Sequence, residues 1–189
     1  MSLHADAVRV LSTWRAPDDA QESLRQAYLE VLDREPDAMW RSSLPDHLTA
    51  SAVVLSHDGS SVLLTLHLKA GLWLQTGGHC EPEDATLAGA ALREAREESG
   101  ISGLRIDPVP VLLSRHAVPF CGGGAGGRVT QHLDVQYVAV APEGAQAVIS
   151  EESADLRWFG PDDVVEPSDE DVHDLIGAAR TRLRGTLAP

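Results

Sequence analysis

The chain has 189 residues, a formal net charge of −14 and two cysteines. The length suits one domain with additions at one or both ends, and it is enough to bury a substantial core. The acidic balance argues against non-specific binding to nucleic acid or to anionic membranes, and two cysteines make no disulfide framework. The first fifty residues read as helical. Val8, Leu11 and Trp14 stand near helical spacing within Ala5 to Trp14. Pro17 followed by Asp18 and Asp19 predicts a helix start, and Leu24, Tyr28, Leu29, Val31 and Leu32 form an apolar stripe before Pro36. From Thr49 the texture changes. Ala52 to Leu55 and Val62 to Leu66 flank Asp58-Gly59, which predicts a β-hairpin. Leu72 to Leu74 predicts a short strand, Ala85 to Ser99 a helix, and Leu104 to Ile106 and Val109 to Val118 two more strands. A glycine-rich loop follows from Cys121 to Gly127. Val129 to Val140 reads as a long strand, Leu156 to Phe159 as a last short one, and Asp169 to Leu183 as a closing amphipathic helix. This order predicts an α/β sandwich, with a helical extension over 1–48 packed on a domain over 49–189. No stretch approaches the length of a membrane span and no early apolar run reads as a signal peptide. The expected location is therefore the cytoplasm, without membrane association, with Cys80 and Cys121 as free thiols.

The segment from Gly77 to Ile101 carries most of the functional information. Glu94, Glu97 and Glu98 recur at i, i+3 and i+4, which places them on one face of the predicted helix. Such a charge run is usually a solvated face. Here two glycines precede the helix after an apolar stretch, Arg93 directly precedes Glu94, and Gly100 suits the helix C-terminus. Like charges so close repel, and a divalent cation removes the repulsion. Hard oxygen ligands suit Mg²⁺ or Mn²⁺, ions that also bind phosphates.

This segment resembles the Nudix box, the signature G-x5-E-x7-R-E-U-x-E-E-x-G-U of the Nudix hydrolases. Arg93, Glu94, Ala95, Glu97, Glu98, Gly100 and Ile101 match its second half. The first half departs: Asp84 stands at the first acid, and eight residues rather than seven separate it from Arg93. Asp84 is read as structural, accepting backbone N–H groups at the helix start. The resemblance implies a Nudix-type α/β/α sandwich with a mixed sheet, an N-terminal helical extension and a C-terminal helix. It implies hydrolysis of a nucleoside diphosphate linked to another moiety, with Mg²⁺ or Mn²⁺ as cofactor and a small nucleotide or diphosphate as substrate. Glu97 and Glu98 match metal ligands, and the Gly77 carbonyl is a further candidate. Glu94 matches the position that binds metal or acts as general base, and Arg93 one that orients a glutamate. A non-catalytic, nucleotide-sensing module on the same fold is the alternative. An isomerase acting on a prenyl diphosphate would need a catalytic cysteine. A homodimer is a candidate assembly.

Outside the box the candidates are looser. His79 could contact phosphate or be a loop histidine with no role. Along Gln131 to Tyr137, His132, Asp134 and Gln136 alternate with Leu133, Val135 and Tyr137. The polar row either lines the cleft beside the box helix or faces water. Arg115 joins His79, His132 and Asp134 as a candidate for substrate binding. Trp73 and Trp158 could stack on a base, although such residues are more often core. Glu151 and Glu152 are candidates for an additional metal ligand or base in a later loop, with Glu143 competing.

Overall fold

The computed structural model describes residues 1–119, 121, 129–151 and 153–187. Its strands are β1 (Asp46–Leu55), β2 (Val62–His67), β3 (Trp73–Leu74), β4 (Thr76–His79), β5 (Arg105–Ile106), β6 (Leu112–Ala117), β7 (Gln131–Val140) and β8 (Ser153–Phe159). Its helices are α1 (Leu3–Thr13), α2 (Asp19–Arg34), α3 (Leu87–Ser99) and α4 (Glu170–Leu187). β1 is the central strand. It pairs in parallel with β7 along its whole length, from Asp46↔Gln131 to Leu55↔Val140. On its other edge, Val54 and Leu55 pair with β2, while Thr49 to Ala52 pair with β4. β5 and β6 add antiparallel to β7, and β3 and β8 to β2. The expected hairpin is therefore present, and the sheet is mixed, because one parallel pair sits among antiparallel ones.

Strand alternation sends β1 and β7 side chains to two separate cores. Leu48, Ala50, Ala52 and Val54 join Leu133, Val135, Tyr137 and Ala139 beneath α3, which contributes Leu87, Ala90, Ala91 and Ala95. α1 and α2 close this core with Leu3, Ala7, Leu11, Tyr28 and Leu32. On the opposite face Val53, Leu55 and Val138 pack with Val172, Leu175, Ile176 and Ala179 of α4. Each fully buried aliphatic side chain contributes about 1.5–3 kcal/mol, so the two apolar seams hold helices on both faces. The result is the α/β/α sandwich expected from the sequence.

The N-terminal helices are tied to the sheet by specific bonds. Trp14 Nε1 donates to the Pro110 carbonyl at 2.8 Å, and Gln21 bonds both backbone groups of Leu113. Tyr28 Oη donates to the Ser114 carbonyl at 2.6 Å. Buried Asp6 of α1 reaches across to accept the Leu87 N–H at the start of α3. Trp73 is core rather than a platform for a base: it is 6% exposed and packs edge-on against Phe159 at 4.9 Å. Trp158 is partly buried against the α3-side core. Among the described residues no helix is long and apolar enough to cross a membrane.

Candidate active site

α3 starts later than the sequence pattern suggests. Thr86 is its N-cap and accepts the Gly89 N–H, while Gly100 closes it in the left-handed conformation at φ 68°. Asp84 is thus not the helix cap; it stands two residues before it, in the turn. It accepts the Glu81 N–H at 2.8 Å and two bonds from Arg93, at 3.2 and 3.0 Å. The physical reason is competition. The fixed, forked guanidinium of Arg93 takes up both oxygens of the Asp84 carboxylate, and the Thr86 hydroxyl serves the cap instead.

Arg93 is the hub of the box. It donates to Asp84, to Glu94 Oε1 at 2.9 Å, to Glu97 Oε2 at 3.1 Å and to the His79 carbonyl at 3.0 Å. Asp84, then the other acids, push its pKa further above the ordinary arginine value, so it is a permanent cation. One side chain thereby locks the end of β4, the turn and the second half of α3 into a single geometry. Glu98 fixes the other contact, its Oε1 accepting the Gly77 N–H at 2.8 Å.

The two glycines are required by close approach. A Cβ on Gly77 would stand 2.3 Å from Ser51 Cβ, and one on Gly78 would stand 2.7 Å from the Glu94 carboxylate. Gly77 lets β4 lie against β1, and Gly78 leaves a cradle beside Glu94. The result is a cluster of hard oxygen donors on one helix face: half-buried Glu94 and Glu98, exposed Glu97, and the neighbouring backbone of Gly77. That donor set fits a hard divalent cation.

The remaining candidates separate. β7 pairs with β6 as Ser114↔Asp134, Arg115↔Leu133 and His116↔His132, and residues paired across strands point to the same side. Arg115 therefore faces away from His132 and Asp134, and its guanidinium meets Asp46 at 3.2 Å. Asp134 is 3% exposed and accepts Thr49 Oγ1 at 2.9 Å and Ser51 Oγ at 2.6 Å. The polar row on β7 is thus interior on the sheet face opposite α3, because Leu133, Val135 and Tyr137 take the α3 side; it neither turns to water nor lines the cleft beside the box helix. Glu151 is exposed in a turn before β8, and Glu152 and the glycines from Gly122 to Gly127 lie outside the described residues. Cys80 is buried, and burial, ahead of nearby Asp84, pushes its thiol up to about 12. Such a thiol is not the activated cysteine that the isomerase alternative needs.

His79 and His132 turn toward each other, with ring centroids 4.9 Å apart. Buried His47, at 5.1 and 5.0 Å from them, completes the group. Burial depresses all three imidazoles, His79 to about 4 and His132 to about 3, so they are neutral at pH 7. Cys121 Sγ lies 3.2 Å from His79 Nε2 and 3.7 Å from His47 Nε2. His47 carries no sequence signal of its own. Its role appears only through the parallel register that sets it beside His132.

Comparison with known proteins places this geometry. Residues 45–177 match the family model of the NUDIX domain. The cattle protein m7GpppN-mRNA hydrolase NUDT17 is 32% identical over 125 residues, covering 59% of this chain. The chain spans only 40% of that relative's length. The NUDIX domain of Shewanella oneidensis NrtR, solved with ADP ribose, superposes with a TM-score of 0.58 at 25% identity, covering 82% of this chain and 97% of that one. A C. elegans Ap4A hydrolase superposes with a TM-score of 0.57 over 73% of this chain and 98% of that one; at 19% identity it speaks to the fold alone.

Proposed function

The chain belongs to the Nudix hydrolase family, and we propose that it hydrolyses a diphosphate linkage in a nucleoside diphosphate joined to a second group, with Mg²⁺ or Mn²⁺ as cofactor. The observation that carries this reading is the arrangement of Glu94, Glu97 and Glu98 on one face of α3, packed against the Gly77-Gly78 segment and aligned by Arg93. Glu97, Glu98 and the Gly77 carbonyl would hold the ion, with Glu94 completing its shell or taking a proton from water. When bound, the ion polarises phosphoryl oxygens and makes water more acidic. Arg93 is a positioning residue, because all of its bonds are spent inside the loop and helix. Asp134 holds the sheet together rather than binding substrate.

The domain division that fits this reading is an extension over 1–48 and a catalytic unit over 49–189, with the extension bracing α3 through Asp6. Two free thiols suit a reducing cytoplasm. The relatives' ligands share one chemistry, a nucleoside attached to a chain of phosphates. ADP ribose, a dinucleoside polyphosphate and a cap dinucleotide are accordingly the substrate classes to try first. Incubation of the pure chain with each of these and with nucleotide sugars, followed by chromatography of the products, tests the proposal. Release of a nucleoside mono- or diphosphate is the expected result. Tight binding with no product from any of them would instead establish the nucleotide-sensing alternative.

A further inference from the structure

We propose that His47, His79, His132 and Cys121 form a second metal site, a closed tetrahedral centre for Zn²⁺, on the sheet face opposite α3. One ligand atom from each residue lies within 4.8 Å of the other three. In a tetrahedral zinc site, nitrogens about 2.0–2.1 Å and sulfur about 2.3 Å from the ion stand roughly 3.5 Å from one another, so modest closure completes the sphere. The placement follows from register. His47 is paired with His132 across β1 and β7, and His79 is paired with Thr49, two residues along β1 on the same face. Leu48, Ala50 and Leu133, on the other face, pack toward α3.

The hydrogen bonding prepares the ligands. His47 Nδ1 lies 3.0 Å from the Ser43 carbonyl, which can only accept. The proton therefore sits on Nδ1, and Nε2 presents its lone pair toward Cys121. His132 Nε2 is buried with no hydrogen-bond partner among the described residues, a costly state that a metal bond would remove. The donor set of three imidazoles and a thiol suits zinc and is the opposite of the oxygen set on α3. On binding, the Cys121 thiol gives its proton to solvent and its sulfur bonds the ion as thiolate. With four protein ligands no position is left for water, so the site is structural. It would pin β4, and hence the Gly77-Gly78 segment, to β1 and β7.

The test uses the full chain, freed of metal with chelator and titrated with Co²⁺ in excess Mg²⁺ to occupy the carboxylate centre. One equivalent of Co²⁺ should produce tetrahedral d–d bands and a thiolate-to-metal charge-transfer band, both displaced by Zn²⁺. Cys121→Ser should abolish the charge-transfer band, and His132→Ala should weaken Co²⁺ binding about a hundredfold. The double substitution Glu97→Gln with Glu98→Gln should leave both bands in place. X-ray absorption of the wild-type Zn²⁺ form covers the case in which the ligand variants do not fold. It should show one sulfur at about 2.3 Å and three nitrogens at about 2.0–2.1 Å. A wild-type chain without a charge-transfer band, or a band lost with the two glutamates, would overturn the proposal.

Discussion

On one face of the sheet, α3 gathers three carboxylates within five residues, and Arg93 and two glycines hold them in place. On the other face, three imidazoles and a thiol converge from residues 47, 79, 121 and 132. The first cluster is partly open, anionic and built of hard donors, a set that suits a hard divalent cation. The second is largely buried, neutral and built of softer donors. The difference teaches how one sheet keeps two kinds of donor set apart. Strand alternation sends Gly77 and His79 to one side and Gly78 to the other, so a four-residue strand serves both clusters.

The sharpest way to break this comparison is to remove a box carboxylate. Glu98→Gln should lower kcat at least about a hundredfold while the fold survives, because the amide oxygen can still accept the Gly77 N–H. Glu94→Gln should cost about 10² to 10⁴-fold if it is the base, whereas Glu151→Gln, in an exposed turn, should change little. If Glu151→Gln instead removed the acidic limb of the pH–rate profile, the base would lie outside the box.

Arg93→Lys comes next. A lysine cannot reach Asp84, Glu94, Glu97 and the His79 carbonyl together. Loss of this alignment should weaken apparent Mg²⁺ affinity about ten- to a hundredfold, read from activity against Mg²⁺ concentration. An unchanged Mg²⁺ curve with a raised KM would show that Arg93 contacts substrate.

The histidine face should respond to pH instead. His79 and His132 bind protons less readily in the folded chain, at about 4 and about 3, than at the ordinary 6.5. Between those values the unfolded chain takes up protons that the folded chain does not. Their contribution to stability is therefore complete above pH 6.5 and is lost as pH falls toward 4 and then 3. Metal-free protein should melt progressively lower across that window, and His132→Gln should flatten the dependence. A melting temperature that is level from pH 7 to 4 would contradict the burial of these rings.

The smallest effect concerns the helix cap. Thr86→Ala should cost about 1 kcal/mol, and Asp84→Ala should lower stability through Arg93 rather than through the cap.

The two clusters also differ in how far the sequence reveals them. Glu94, Glu97 and Glu98 are neighbours on one helix, so spacing alone places them together. β7 is legible for a similar reason, from the alternation along Gln131 to Tyr137, and the hairpin from the apolar runs that flank Asp58-Gly59; β1 shows as a strand only over Ala52 to Leu55, although it begins at Asp46. The histidine cluster depends on which residue of β1 faces which residue of β7, and no local pattern encodes that register. Arg115 shows the same limit: it lies in the strand beside His132 and Asp134, yet the pleat sends it to the opposite face. Asp84 has the better side chain for a cap, but Arg93 claims its carboxylate and Thr86, two residues on, caps α3; no local pattern encodes the reach of Arg93.

The most direct test of the central claim is turnover of ADP ribose, a dinucleoside polyphosphate and a cap dinucleotide as a function of divalent cation. With excess chelator there should be no product from any of them, and added Mg²⁺ or Mn²⁺ should restore saturable hydrolysis of at least one. Full turnover in excess chelator would contradict the assignment of the α3 carboxylates as the metal-binding, catalytic face.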